Sequence, residues 1–364
     1  MRSKLCASAL VLLLAGTACS TDAGDKELYL YNWSDFIGTG TIERFEERTG
    51  IKVVYDTYDA EETMDARLLA GESGYDVVSA STNFSGREIK AGVYLPLDKS
   101  KLPNWKYLDP HFLAKLDTSD PGNRYGVPFM QAVNGFAYNV DMIRKRMPDA
   151  PIGSLDMIFK PEIIAHFADC GVTFLDSPED VLQLALQYLH LDPNSTRPED
   201  YAAAEKLLLK VRPYVRNFDS IEYMNALANK EVCIAMSWSA DYAVAMSRAR
   251  AAGAPVNLAF TVPAEGANQT YSSFLIPVGA PHPEAAYAFL NYILDPQVIA
   301  RITNEIYYGN MNRAASAWVR PEILNDKSLY PTPEVEARLY PSKESSIALQ
   351  RIRTRVWTRI KTGE

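Results

Sequence analysis

Apolar and polar positions alternate between two rhythms along the chain. Leu28-Tyr29-Leu30-Tyr31 is a short apolar run with β-favouring rings, and it predicts a buried strand. From Thr41 to Arg48, Ile42 and Phe45 recur at helical spacing, and Gly50 supplies the stop. Ile51-Lys52-Val53-Val54-Tyr55 reads as a strand, Glu61 to Ala70 as a helix with Met64 and Leu68 inward, and Tyr75-Asp76-Val77-Val78-Ser79 as a third strand. That strand runs into a polar loop, Ser81-Thr82-Asn83-Phe84, before a helix around Arg87 to Ala91. Strand and helix in strict alternation predict an α/β fold, a parallel sheet covered by helices.

Between Val127 and Val140 the rhythm changes. Val127-Pro128-Phe129-Met130 and Gly135-Phe136-Ala137-Tyr138-Asn139 read as two extended segments, and a helix opens at Asp141. The first crossing into a second lobe is placed here. That lobe has its own strand at Val172-Thr173-Phe174-Leu175. Helices follow from Ser177 to about His190, from Tyr201 to Val211 and from Ile221 to Asn229. A second strand, Val232 to Trp238, leads into a helix reaching about Ala252. Val256 to Val262 is taken as the crossing back. Tyr271 to Pro277 reads as a strand, and helices follow at Glu284 to Leu294 and from Gln297. The expected lobes are 27–134 plus 262–312, and 135–261 plus 313–364. In the last segment Ile347, Ile352, Val356 and Ile360 recur at near-helical spacing beside Arg351, Arg353, Arg355, Arg359 and Lys361, which predicts an amphipathic helix with a solvated basic face.

The chemistry-bearing residues sit where strands end. Trp33, Ser34, Asp35 and Phe36 follow the first strand at once, at the sheet edge where open α/β folds bind ligands. Trp238-Ser239-Ala240-Asp241 repeats the combination in the second lobe. A ring face with a nearby carboxylate suits an organic cation. Burying an ammonium costs several kcal/mol unless it is paired, and a ring face returns only about 0.5–2 kcal/mol. Each ammonium therefore needs an acid as well as a ring. The plainer readings are a core Trp33, a turn-forming Asp35 and a first-turn Asp241 favoured by the helix dipole. Ser177-x-x-Asp180, with Pro178 between, reads as a capping box.

The remaining features narrow the setting. Met1-Arg2-Ser3-Lys4, the apolar Ala9 to Gly16 and the small residues before Cys19 read as an export signal over 1–18, too short to span a bilayer. Cys19 is the candidate lipid acceptor, with an ordinary secretory cleavage as the alternative. Either places the protein outside the cytoplasm. Cys170 and Cys233 then remain in an oxidising compartment, where one disulfide is the expectation and two buried free thiols the alternative. A net charge of −8 disfavours nucleic acid and suits cationic partners. His111, His166, His190 and His282 are scattered without metal-ligand spacing, so no cofactor or metal is expected.

Several stretches together carry a resemblance. Tyr31-Asn32-Trp33-Ser34-Asp35, Gly50-Ile51-Lys52-Val53-Val54-Tyr55, Ala91-Gly92-Val93, Pro96 through Pro103, and Arg353-Thr354-Arg355-Val356-Trp357-Thr358 are similar to the periplasmic putrescine- and spermidine-binding proteins of bacterial ABC importers, closest to the putrescine branch. The resemblance covers essentially the whole mature chain. It implies a two-lobed periplasmic-binding-protein fold of type II with a hinged interlobe cleft, a Cys170–Cys233 disulfide, a small cationic amine as ligand and an inner-membrane permease as partner. It implies a monomeric, periplasmic protein without catalysis. By position it puts ligand contacts on Trp33, Ser34, Asp35, Ser81, Asp180, Trp238, Asp241 and Tyr308. Three departures stand out. Asp180 replaces the usual Glu, Phe36 replaces a Tyr, and Thr270 and Ser272 replace an aromatic and an Asp on the strand before Pro277. These shift the expected ligand towards another amine, such as agmatine or an ω-amino acid, as an alternative to putrescine. Two rival readings are iron capture by Tyr307-Tyr308 and a carboxylate-dependent exported hydrolase, although no nucleophile elbow or HExxH occurs.

Overall fold

The computed structural model describes residues 26–71, 73–343 and 345–363. The export signal and Cys19 lie outside the described residues.

Among the described residues eleven strands carry the fold: β1 (Glu27–Trp33), β2 (Lys52–Tyr58), β3 (Val77–Ser81), β4 (Gly126–Asn139), β5 (Val172–Phe174), β6 (Asn217–Phe218), β7 (Ile234–Trp238), β8 (Leu258–Thr261), β9 (Ala267–Leu275), β10 (Gly309–Asn310) and β11 (Leu339–Tyr340). Their main path runs β2-β1-β3-β9-β4-β7-β5-β6. Both ends of the path are parallel, β1 with β2 and β3, and β5 with β6 and β7. The middle is antiparallel, where β9 pairs with β3 and β4, and β4 with β7. The early helices α1 (Thr41–Thr49), α2 (Glu61–Leu69) and α3 (Thr82–Lys90) follow β1, β2 and β3 in turn.

Two large cores sit on the two ends of this path. The first gathers Leu28, Leu30, Val77, Phe129, Phe274 and Phe289. The second gathers Phe136, Phe159, Phe174, Leu186, Tyr201 and Ile234. β4 serves both: Val127, Phe129 and Met130 enter the first core, and Phe136, Ala137 and Tyr138 the second. β9 does the same, with Ala267 in the second core and Phe274 in the first.

Several local expectations are corrected. The two extended segments flanking Gln131 are one strand of 14 residues. The buried polar Gln131 and Asn134 interrupt the apolar run without interrupting the hydrogen-bond ladder. The expected loop at Ser81 is absent, because β3 ends on Ser81 and α3 begins at Thr82. The strand before Pro277 starts earlier, at Ala267. The basic face of the Ile347–Thr362 helix is not wholly solvated: Arg353 is buried and pairs with Glu179 at 3.3 Å, whereas Ile347 is exposed. Ala315, Val319, Ile323 and Leu329 pack into the first core, while Leu349, Val356 and Trp357 pack into the second.

Cys170 and Cys233 are disulfide-bonded, with Cα atoms 5.5 Å apart. The bond ties Cys170, two residues before β5, to Cys233, the residue before β7, inside the second core.

Candidate functional site

A cavity of about 870 Å³ opens between the two cores. It is lined by every residue singled out from the sequence: Trp33, Ser34, Asp35, Phe36, Ser81, Asp180, Trp238, Asp241, Thr270, Ser272 and Tyr308. The strands bring them there because a ring or hydroxyl closes the strand and, after β1 and β7, the acid follows within three residues. Trp33 ends β1, Ser81 ends β3 and Trp238 ends β7.

The rings stand against one another rather than in solvent. Trp33 tilts against Tyr58 with centroids 4.6 Å apart. Phe36 meets Tyr308 edge-on at 5.0 Å. Tyr308 follows Tyr307, whose left-handed backbone (φ 64°) ends the Pro296–Ile306 helix and turns the next residue inward. The two tyrosines diverge. The Tyr308 hydroxyl donates to Asp241 Oδ1 at 2.7 Å, and Tyr307 lies under the Arg320 guanidinium at 5.2 Å. They do not converge on a common point as a shared metal ion would require. Among the described residues no His, Cys, Asp and Glu group could hold a metal ion.

Two acids on the second-lobe wall, Asp180 and Asp241, are buried. Asp241 opens the Asp241–Ala251 helix and accepts hydrogen bonds from the hydroxyls of Tyr308 and Tyr223. Burial pushes its carboxyl up to about 6, against the lowering effect of those two hydroxyls. Asp180 lies in the first turn of the Pro178–Tyr188 helix, and burial likewise raises it to about 6. The expected capping box does not form. The Ser177 side chain makes no cap bond to the helix backbone and instead donates to Asp180 Oδ2 at 2.7 Å. Among the described residues neither Asp180 nor Asp241 is ion-paired, so each presents anionic capacity without a protein cation in contact.

Asp35 is placed differently. Its backbone is left-handed (φ 56°) and its side chain is exposed. It accepts from Arg248 at 2.8 Å across the cavity mouth. Arg248 belongs to the same helix as Asp241 and is held from behind by Asn225 at 2.9 Å. Tyr242, also on that helix, donates to Asp326 in the segment packed with the first core. One helix thus contributes Asp241, Tyr242 and Arg248 to contacts with the opposite wall.

Helix N-termini converge on this cavity, and such ends attract anions. Here each is already met by a carboxylate. Asp180 and Asp241 stand in the first turns of their own helices. Glu61 accepts from Ser81, which precedes α3, and Glu305 accepts from the backbone of Thr39, which precedes α1. Positive ends are neutralised and negative charge is left over, which selects for cations.

Sequence reasoning missed Glu61, Arg248 and Tyr223. Glu61 reads as an ordinary first-turn acid of α2, and only the contact with Ser81 distinguishes it. Glu179 was also missed. It lines the cavity, pairs with Arg353, and is raised by burial to about 7.

Comparison with known proteins gives a consistent result. Residues 40–331 match the family model described as bacterial extracellular solute-binding protein. The chain is 43% identical over 364 residues to the putrescine-binding periplasmic protein PotF of Escherichia coli K12, covering 100% of this chain and 98% of that one. It is 43% identical to a putrescine/agmatine-binding protein of Pseudomonas aeruginosa PAO1, covering 99% of each. Among solved structures it resembles the spermidine/putrescine ABC transporter substrate-binding protein PotD of Streptococcus pneumoniae, with a TM-score of 0.76 and 24% identity over 93% of this chain and 99% of that one. At that identity the last likeness speaks for the fold.

Proposed function

Since the chain belongs to the bacterial extracellular solute-binding protein family, we propose that it captures a polyamine, putrescine first and spermidine second, between its two walls and delivers it to an ABC permease. The observation that carries this reading is the pair of buried carboxylates, Asp180 and Asp241, facing a ring-lined cavity without an ion pair. A buried carboxylate is costly unless a cation arrives to balance it. Trp33, Trp238 and Tyr308 then cover the methylenes, and Ser34, Ser81, Thr270 and Ser272 offer hydroxyls to the amines.

Capture needs no covalent step, and we read the protein as a carrier rather than an enzyme. The two cores are the bodies that move, with β4 and β9 as the strands that bend. The contacts Arg248–Asp35, Tyr242–Asp326 and Tyr308–Asp241 are those of the closed arrangement, which the permease recognises. The carrier works in the periplasm as a monomer, with Cys19 as its lipid anchor.

A second reading rests on Thr270 and Ser272. Neither position carries an acid, which suits an amine with a different far end, such as agmatine or an ω-amino acid. Calorimetric titration of refolded, ligand-free protein with putrescine, spermidine, agmatine and γ-aminobutyrate separates the two. Tight putrescine binding supports the first reading. Heat from agmatine or γ-aminobutyrate alone supports the second, and silence with all four contradicts both.

A further inference from the structure

We propose that Glu61 is a positioning residue of the amine site: its carboxylate fixes the Ser81 hydroxyl as a hydrogen-bond acceptor and supplies the anion of the first-lobe wall from behind β3. This inference rests on the polyamine reading above.

Glu61 is the first residue of α2, lines the cavity and is 5% exposed. Its two oxygens accept from the backbone N–H and the hydroxyl of Ser81, the latter at 2.6 Å. Ser81 occupies the N-cap of α3 in an extended conformation. A serine there ordinarily turns its oxygen to an N–H of the first helical turn. Here it makes no such bond. Its single proton is committed to Glu61, and a hydroxyl so engaged retains two acceptor lone pairs. Ser81 is the cross-strand partner of Ser272, so the two hydroxyls stand side by side on the cavity wall.

The other first-lobe acids on the cavity are differently employed or solvated. Asp35 is tied to Arg248, Glu305 to Thr39, and Asp59 and Glu62 are exposed. A second ammonium reaching the β3–β9 wall would otherwise meet neutral hydroxyls and the partial positive charge of the α3 N-terminus. Glu61 offsets that charge at the N–H from which it arises. Burial disfavours its charged form and holds its carboxyl well above the usual carboxylate range, so Glu61 becomes the anion of this wall as a cation arrives at Ser81.

The test is a double-mutant cycle on the full refolded chain, with Glu61→Gln and Ser81→Ala titrated calorimetrically with putrescine. The amide of Glu61→Gln can donate to Ser81, which turns the hydroxyl proton towards the ligand. Each single variant is expected to weaken binding about tenfold or more. The double variant should be no weaker than the worse single by more than about twofold. Losses that multiply would show two independent effects and overturn the proposal, as would a Ser81→Ala variant within about twofold of wild type. Should Glu61→Gln fail to fold, Ser81→Ala decides through a second ligand. Its loss should appear with putrescine and vanish with n-butylamine, which has no second ammonium; equal losses overturn the proposal. A wild type that binds no amine overturns the proposed function itself, whereas a multiplicative cycle on a wild type that binds putrescine overturns this inference alone.

Discussion

The two walls of the cavity carry different chemistry. The second-lobe wall presents carboxylates directly, Asp180 and Asp241, each buried in the first turn of its helix. The first-lobe wall presents hydroxyls, Ser81, Thr270 and Ser272, with the buried carboxylate of Glu61 one layer behind. Direct acids give strength, because a charge-assisted bond outweighs a neutral one about twofold. Hydroxyls backed by an acid give less strength and more tolerance, since an oxygen with free lone pairs accepts from an ammonium, a guanidinium or a hydroxyl alike. On the proposed function, this asymmetry makes the pocket selective for one cationic end and permissive at the other.

Breaking the strong wall should have the largest effect. Asp241→Asn removes the charge, keeping an oxygen acceptor for one of the Tyr308 and Tyr223 hydroxyls and turning an NH2 donor to the other, and truncating a buried charge pair costs about 2–5 kcal/mol. We expect putrescine affinity to fall by two orders of magnitude or more by calorimetry, with little change in melting temperature. A loss below tenfold would place the strong wall elsewhere. Converting the weak wall into a strong one comes next. Ser272→Asp should raise putrescine affinity, up to about tenfold, and the gain should be larger in the Glu61→Gln background, where no second carboxylate repels the new one. An unchanged affinity would mean that the far amine does not reach β9.

Acidity sharpens the comparison further. Both second-lobe carboxyls are raised to about 6 in the free protein. Their ionisation is therefore costlier in the fold than in the unfolded chain. The stability penalty sets in as pH rises above the ordinary carboxylate value and is complete above about 6. A cationic ligand reverses the sign, because it favours the ionised forms. Affinity should therefore fall at least tenfold between pH 7 and 5, while the ligand-free protein, as far as these two groups decide, becomes more stable over the same span. A flat affinity profile would contradict carboxylate recognition.

The smallest effect is expected outside the cavity. Tyr242 and Asp326 join the walls without lining the pocket. Tyr242→Phe should weaken every amine alike by about two- to fivefold, the size of one net hydrogen bond, and should enlarge the radius of gyration of the ligand-bound protein in X-ray scattering. Selective loss of one amine would instead place Tyr242 in ligand recognition.

Much of this was legible because ring and acid follow strand ends at once. Trp33 and Asp35, or Trp238 and Asp241, need only the strand to end where its apolar run ends, and the sheet brings them together. The α/β alternation was legible for the same reason. Other features depended on partners distant in sequence. Glu61 is distinguished by Ser81, twenty residues away. Arg353 looks solvated from its helix alone, yet Glu179 and Tyr201 bury it. β4 reads as two pieces because Gln131 and Asn134 are polar, although the backbone ladder passes through them unbroken. The cross-cavity role of Arg248 is invisible locally, since basic residues near a helix end usually face water.

The most direct test of cation capture by buried acids is calorimetric titration with putrescine at pH 6, in two buffers of different ionisation enthalpy. With both Asp180 and Asp241 near half-protonated at that pH, binding should release about one proton per ligand more than at pH 8, where these two carboxyls are already ionised and only the more strongly raised Glu61 has a proton left to give. Binding at pH 6 without proton release would contradict the account, because the amine would then be held by groups other than these two carboxylates.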